Sequence, residues 1–202
     1  MNYPAATVQE VPPTDGRTRR SLRTHEAIVD ATIGLLEDGD LRPTAPRVAE
    51  RAQVSVRSVF QHFDDLESLH ASVAERLVER VAALVLPVDP ELPLEVRLDR
   101  FVRQRAVLLE AVTPIRRAAD VHGPFSTEIT ARLRAGQAFL REEVVHTFDP
   151  ELSVAGQARD DLLDCLDAAM SWWTWEGLRS GLGRSQADAE RVMRRLASAA
   201  LA

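Results

Sequence analysis

Residues 44–63, TAPRVAERAQVSVRSVFQHF, constrain the fold more than any other stretch, because they read as two short helices joined by a tight turn. Thr44 is placed to cap the first helix, and Pro46 is tolerated in its first turn. Val48, Ala49 and Ala52 give that helix one small apolar face. Gln53 and Val54 make the turn, and the Ser55 hydroxyl can cap the second helix. Val54, just before that cap, and Val59, four residues into the helix, match a hydrophobic staple. At about 100° per residue, Val56, Val59 and Phe63 fall on one side and Arg57 and Gln61 on the other. Ser58, Phe60 and His62 lie on the flanks. An outward Arg–Gln pair one turn apart suits a helix that reads bases, since Arg pairs bidentately with guanine and Gln with adenine. Taken alone, the motif also fits a helical hairpin whose polar face only meets water.

The flanking sequence adds context. In residues 17–43, Ser21 can cap a helix with an apolar stripe of Leu22, Ile28, Leu35 and Leu36. Gly39 supplies its stop, and Pro43 forbids continuation. Downstream, Asp64 or Asp65 can cap a further long helix. The order is a supporting helix, the two short helices, then a connector.

With these residues in view, the chain resembles the TetR family of transcriptional regulators. Residues 28–39 match the first helix and residues 44–55 the second helix and turn. Val59-Phe60-Gln61-His62-Phe63 matches the aromatic-x-His-Phe signature, and Asp65-Leu66-Glu67-Ser68-Leu69 the start of the fourth helix. Two positions depart from the family pattern: Gln53 stands where Gly is usual in the turn, and Leu66 where a phosphate-contacting Lys is usual.

The resemblance implies an all-α fold of about nine helices, an N-terminal three-helix helix-turn-helix domain followed by a helical bundle. The organisation it suggests is a disordered tail over 1–18, a DNA-binding domain over 19–64 and an effector-binding and dimerisation domain over 65–202. The expected DNA contacts are Thr44, Arg47, Ser55, Val56, Arg57, Ser58, Phe60, Gln61 and His62. Ser55, Arg57, Ser58 and Gln61 form the base-reading face; Thr44, Phe60 and His62 are placed for phosphate or sugar.

Charge is uneven along the chain. The net charge is −6, and all 25 basic residues are Arg. Residues 1–63 are neutral overall, so the acidic excess lies entirely in residues 64–202. The N-terminal part alone is not repelled by phosphate, and Arg17, Arg19, Arg20 and Arg23 form a local basic cluster within it. The Pro-rich start has no apolar run of a signal peptide, and no apolar stretch reaches the roughly 18 residues of a membrane span. A single cysteine, Cys165, rules out an internal disulfide, and the expected location is cytoplasmic. The thiol reads either as a redox switch or, among Leu162, Leu163 and Leu166, as a buried structural group, and the leucine neighbours favour the second.

The remainder reads as helices over 65–86, 94–112, a short one from 113 to about 123, one from 126 or 127 to before Pro150, one long helix over 159–180, and a last one capped at Ser185 with Val192, Leu196 and Ala199. The helix over 159–180 has Leu166, Met170 and Trp173 on one side and Trp172, Trp175 and Leu178 round the other. A helix apolar nearly all round needs cover on nearly all sides, which a second copy would supply in an isologous homodimer. Resemblance to the family's C-terminal helix pair implies the same, with Trp172, Trp175, Arg179, Val192 and Leu196 as interface candidates.

Resemblance also implies a small-molecule effector bound among the middle helices, releasing the protein from operator DNA. Phe101, Arg105, Phe125, Gln137, Met170 and Trp173 are the candidates, each also explicable as core or surface. His122 either faces a pocket or ends a helix. No nucleophile elbow, phosphate loop or metal-ligand spacing is present, so no catalytic residue, metal or cofactor is expected; Glu142 and His146 alone make a poor metal site.

Overall fold

The computed structural model describes residues 16–202, and every regular element among them is helical. The elements are α1 (Gly16–Glu37), α2 (Ala45–Arg51), α3 (Val56–His62), α4 (Leu66–Leu84), α5 (Leu94–His122), α6 (Thr127–Thr147), α7 (Asp149–Val154), α8 (Arg159–Ala169), α9 (Trp172–Glu176) and α10 (Gln186–Ala200). A 3-10 turn precedes α6, and a π-helical turn, Gly177–Gly181, prolongs α9.

Local capping chemistry sets many of these bounds. Ser55, Ser126 and Ser185 each accept a hydrogen bond from the backbone three residues on. Asp65, rather than Asp64, starts α4, in a reciprocal capping box with Ser68. At the end of α1, Gly39 takes φ +90°, its N–H donating to the Leu36 carbonyl and the Asp40 N–H to the Leu35 carbonyl. These two bonds make a Schellman stop.

Tertiary packing overrides local signals elsewhere. α1 starts at Gly16, so Ser21 lies within the helix and does not cap it. Its surroundings, rich in Arg and Leu, favour helix, and a serine caps only where the chain enters from an extended conformation. The tail expected over 1–18 therefore overlaps α1 at residues 16–18, while residues 1–15 lie outside those described.

Pro114 does not divide α5. It removes one ladder donor, but the helix is held on both sides of it. Leu108 and Leu109 are buried in the C-terminal core, and Ile115 and Ala118 in the N-terminal one. The Thr113 hydroxyl donates to the Leu109 carbonyl at 2.6 Å and accepts from Trp172 Nε1 at 3.1 Å.

The single helix expected over 159–180 is broken at Met170–Ser171. Ser171 is extended and recaps α9, accepting from the Thr174 N–H at 3.1 Å. The short α7 was not anticipated; Pro150 sits in its first turn, where a missing N–H costs nothing.

The two cores meet along α4 and α5. Leu69 and Val73 of α4 belong to the N-terminal core with Ile28, Ile33, Val48, Val59 and Phe63, whereas Val81 packs on the C-terminal one. A boundary at residue 65 thus cuts the chain where the core does not divide. Arg76 and Arg80 of α4 pair with Asp30 and Glu37 of α1, each at 3.3 Å.

Candidate nucleic-acid interface

The turn between α2 and α3 is built from backbone bonds. The Gln53 N–H donates to the Glu50 carbonyl at 3.1 Å and the Val54 N–H to the Ala49 carbonyl at 2.9 Å, a second Schellman motif. That motif needs a left-handed residue, and Gln53 supplies it at φ +57°. It is the one non-glycine residue at positive φ among those described. Val54 then packs on the N-terminal core, in which Val59 is fully buried, as the staple pattern expects.

Anchored by Val59, α3 turns its other sides outward. Ser55, Val56, Arg57, Phe60 and Gln61 are exposed; Ser58 and His62 are half-buried. Phe60 shows half of its surface to solvent, an unusual position for a phenylalanine. Val56 is exposed as well, so of the side expected to face inward only Val59 and Phe63 are buried. The Arg57 guanidinium and the Gln61 amide have no side-chain partner among the described residues.

Two flanking residues differ from expectation in their local role. Thr44 occupies the N-cap position of α2, but its hydroxyl makes no capping bond and remains uncommitted. Arg47 is exposed, yet its guanidinium lies 2.6 Å from the Asp40 carboxylate. A phosphate would compete with Asp40 for it. Arg42, not among the expected contacts, is exposed two residues before Thr44, and no carboxylate among the described residues pairs with its guanidinium; its only signal is a basic residue beside the Pro-Thr entry to α2. Leu66 packs on the N-terminal core instead of facing outward.

Behind α3, the His25 ring stacks on Phe63 at 4.5 Å and meets His62 edge-on at 6.2 Å. Burial, and then the neighbouring His62, push the His25 pKa below its ordinary value. The stacked ring is therefore held toward its neutral form.

The residues proposed for dimerisation separate into two groups. Trp172 and Trp175 are buried within the protomer, and Arg179 makes a bidentate pair with Glu110 at 2.6 and 3.1 Å. One protomer thus covers the tryptophans that were expected to need a second copy. The break at Met170–Ser171 and the π-helical turn let α9 tuck against α5. Val192 and Leu196 instead flank the buried Ala189, Met193 and Ala197 on α10, with Val192 half-buried and packed on the C-terminal core and Leu196 exposed.

The expected effector residues do not converge. Phe101 and Met170 are core. Arg105 is buried over the Phe101 ring, donates to the Leu140 carbonyl at 3.0 Å, and burial pushes its pKa down to about 10. Phe125 is exposed at the start of α6. Gln137 and Trp173 alone share a cavity, an open groove of about 630 Å³ between α6 and the α8–α9 bend. Trp173 is 64% exposed, not inward with Met170, because the break shifts the helical phase between them. Cys165 is likewise exposed, on the outer side of α8, rather than buried. His122 ends α5, its Nε2 3.1 Å from the Leu41 carbonyl and its ring 5.1 Å from His70.

No helix among the described residues is long and apolar enough to cross a membrane. No family model and no curated protein matches the chain. Among solved structures, it is similar to a protein from Mesorhizobium loti MAFF303099 whose assignment as a TetR-family transcriptional regulator is itself provisional. The TM-score is 0.67 at 21% identity, over 90% of this chain and 96% of that one. With a capped, outward-facing α3 beneath an all-helical body, the chain has the fold of that TetR-family regulator.

Proposed function

We propose that the protein is a sequence-specific DNA-binding transcriptional regulator whose α3 enters the major groove. The observation that carries this reading is the pairing of Arg57 and Gln61, exposed and without a side-chain partner among the described residues, on a helix fixed from behind by Val59 and by the Ser55 cap. Such side chains suit bidentate contacts to guanine and adenine. Ser55 and Ser58 flank them. Thr44, Arg42, Arg47, Phe60 and His62 border the face and fix its register on phosphate and sugar. Arg19, Arg20 and Arg23, exposed on α1, add attraction for the backbone.

The protein acts as a homodimer in the cytoplasm, through the flank of α10 that carries the exposed Leu196 and the edge of Val192. Two copies of α3 then read a near-palindromic operator. Repression is relieved by a small-molecule effector that favours a non-binding arrangement of the two reading heads.

Selection of bound sequences from random duplex DNA tests this directly. Enrichment of a near-palindrome, with half-sites about one helical turn apart, is the expected result. Retention of no sequence above background would leave a helical interaction module without a DNA target. For the dimer, Leu196→Glu should give monomers that keep their helical content; an unchanged sedimentation coefficient would move the interface elsewhere.

A further inference from the structure

We propose that the groove between α6 and the α8–α9 bend binds a planar aromatic carboxylate. This deepens the effector reading above and rests on it for the consequence for DNA, though not for binding itself.

The groove offers a bare aromatic surface beside guanidinium donors that are not all engaged. Trp173 leaves most of its ring in solvent, with Leu133 and Ala168 continuing the apolar wall. The ring is held in place by Trp172, at 5.0 Å between centroids, and by the Arg116 guanidinium, 5.6 Å from its centre. A fixed, exposed indole is a stacking platform that loses little entropy when covered.

Three arginines line the groove, and they are not equivalent. Arg141 pairs with both Asp164, at 2.5 Å, and Asp167, at 3.3 Å, and Gln137 donates to the same Asp167. Arg116 gives its Nε to Asp120 at 3.1 Å, leaving its terminal nitrogens without a hydrogen bond among the described residues. Arg134 is exposed and has no partner among them. Both groove carboxylates thus turn to Arg141, and the guanidinium donors left open to a ligand are those of Arg134 and the terminal nitrogens of Arg116. An anion on a flat ring complements this arrangement: the ring over Trp173, the carboxylate toward Arg134 and Arg116. A volume of about 630 Å³ lies within the range of small-molecule sites.

Arg116 also connects the groove to the reading head. Its neighbours Ile115 and Ala118 are buried in the N-terminal core, and His122, at the end of the same helix, meets the Leu41 carbonyl just before α2. A ligand that draws Arg116 into the groove therefore acts on the segment of α5 that supports α1 and α2.

Calorimetry on the full chain with 2-naphthoate tests the site without DNA. Saturable binding of one molecule per protomer is expected. Arg134→Gln and Trp173→Leu should each weaken it about tenfold, the scale of one lost charge-assisted hydrogen bond or stacking contact. The neutral 2-naphthamide and the non-planar cyclohexanecarboxylate should bind correspondingly less. Absence of binding, equal binding of the neutral amide, or indifference to both substitutions overturns the proposal. So does a change from dimer to monomer in Arg134→Gln, which would make the groove a contact between copies. The two readings fail separately: a protein that holds its selected duplex but not naphthoate sinks the groove alone. One that binds naphthoate but retains no DNA sinks the regulator alone.

Discussion

Replacing Gln53 by glycine should stabilise the protein. The left-handed conformation at this position costs an L-residue roughly 1–2 kcal/mol. Glycine avoids that cost but adds roughly 0.5–1 kcal/mol of unfolded-chain entropy. The Gln53 side chain is exposed and makes no hydrogen bond among the described residues, so nothing else is lost. Both backbone bonds of the turn, from the N–H groups of Gln53 and Val54, remain available. The net gain is about 0.5–1 kcal/mol, which for a chain of 202 residues raises Tm by about 1–4 °C. Differential scanning calorimetry of Gln53→Gly, Gln53→Ala and Gln53→Val measures it. Glycine should raise Tm, alanine should leave it nearly unchanged, and the β-branched valine should lower it. A gain as large with alanine as with glycine would show that backbone strain is not the cause; a loss with glycine would refute the left-handed turn.

Glu151 forms a bidentate pair with the buried Arg97, which also donates to the Leu92 and Thr147 carbonyls at 2.8 Å each. Glu151→Ala strands that guanidinium and should cost about 3 kcal/mol, the lower end for a broken buried pair because Glu151 is partly exposed, as measured by urea denaturation. The Arg97 hydrogen bonds hold the Glu151 carboxyl below its ordinary value of 4.5, so its stabilisation is complete above that pH and fades as pH falls through the folded-state value. Glu151→Gln should accordingly flatten the acid limb of the stability–pH curve, and an unchanged limb would remove this pair as its source. Trp173 should account for the red-shifted, acrylamide-quenchable part of the fluorescence. Trp173→Phe should leave the shielded emission of Trp172 and Trp175, whereas an unaltered quenchable fraction would place Trp173 inside.

What was legible in the chain was what short-range chemistry decides. Ser55, Asp65, Ser126 and Ser185 cap helices because each hydroxyl or carboxylate reaches a backbone N–H three residues on. Gly39 stops α1 because the turn needs a positive φ. The same locality made α3 readable, since one buried valine leaves the phase of Arg57 and Gln61 no freedom. The errors arose where distant groups decide. Pro114 reads as a break, yet α5 runs through it because its two halves are buried in different cores. Thr44 reads as a cap, yet its hydroxyl stays free. The serial tryptophans read as a face for a partner, but the recapping at Ser171 buries Trp172 and Trp175 at home and turns Trp173 outward. Ser171 followed by Thr174 is a local signal that could have exposed this break. The effector candidates scattered because an aromatic or lone polar residue on an apolar helix carries no information about which neighbours it will meet.

The central claim, that α3 reads bases, is tested most directly by one affinity comparison. Binding of Arg57→Ala to the selected palindrome is measured beside binding to duplexes altered one base pair at a time within each half-site, at fixed salt. Arg57→Ala should lose about 1–3 kcal/mol on the preferred duplex and become indifferent to the base at a single position of each half-site. Unchanged affinity, or an equal loss on every sequence with discrimination intact, would contradict base reading by Arg57.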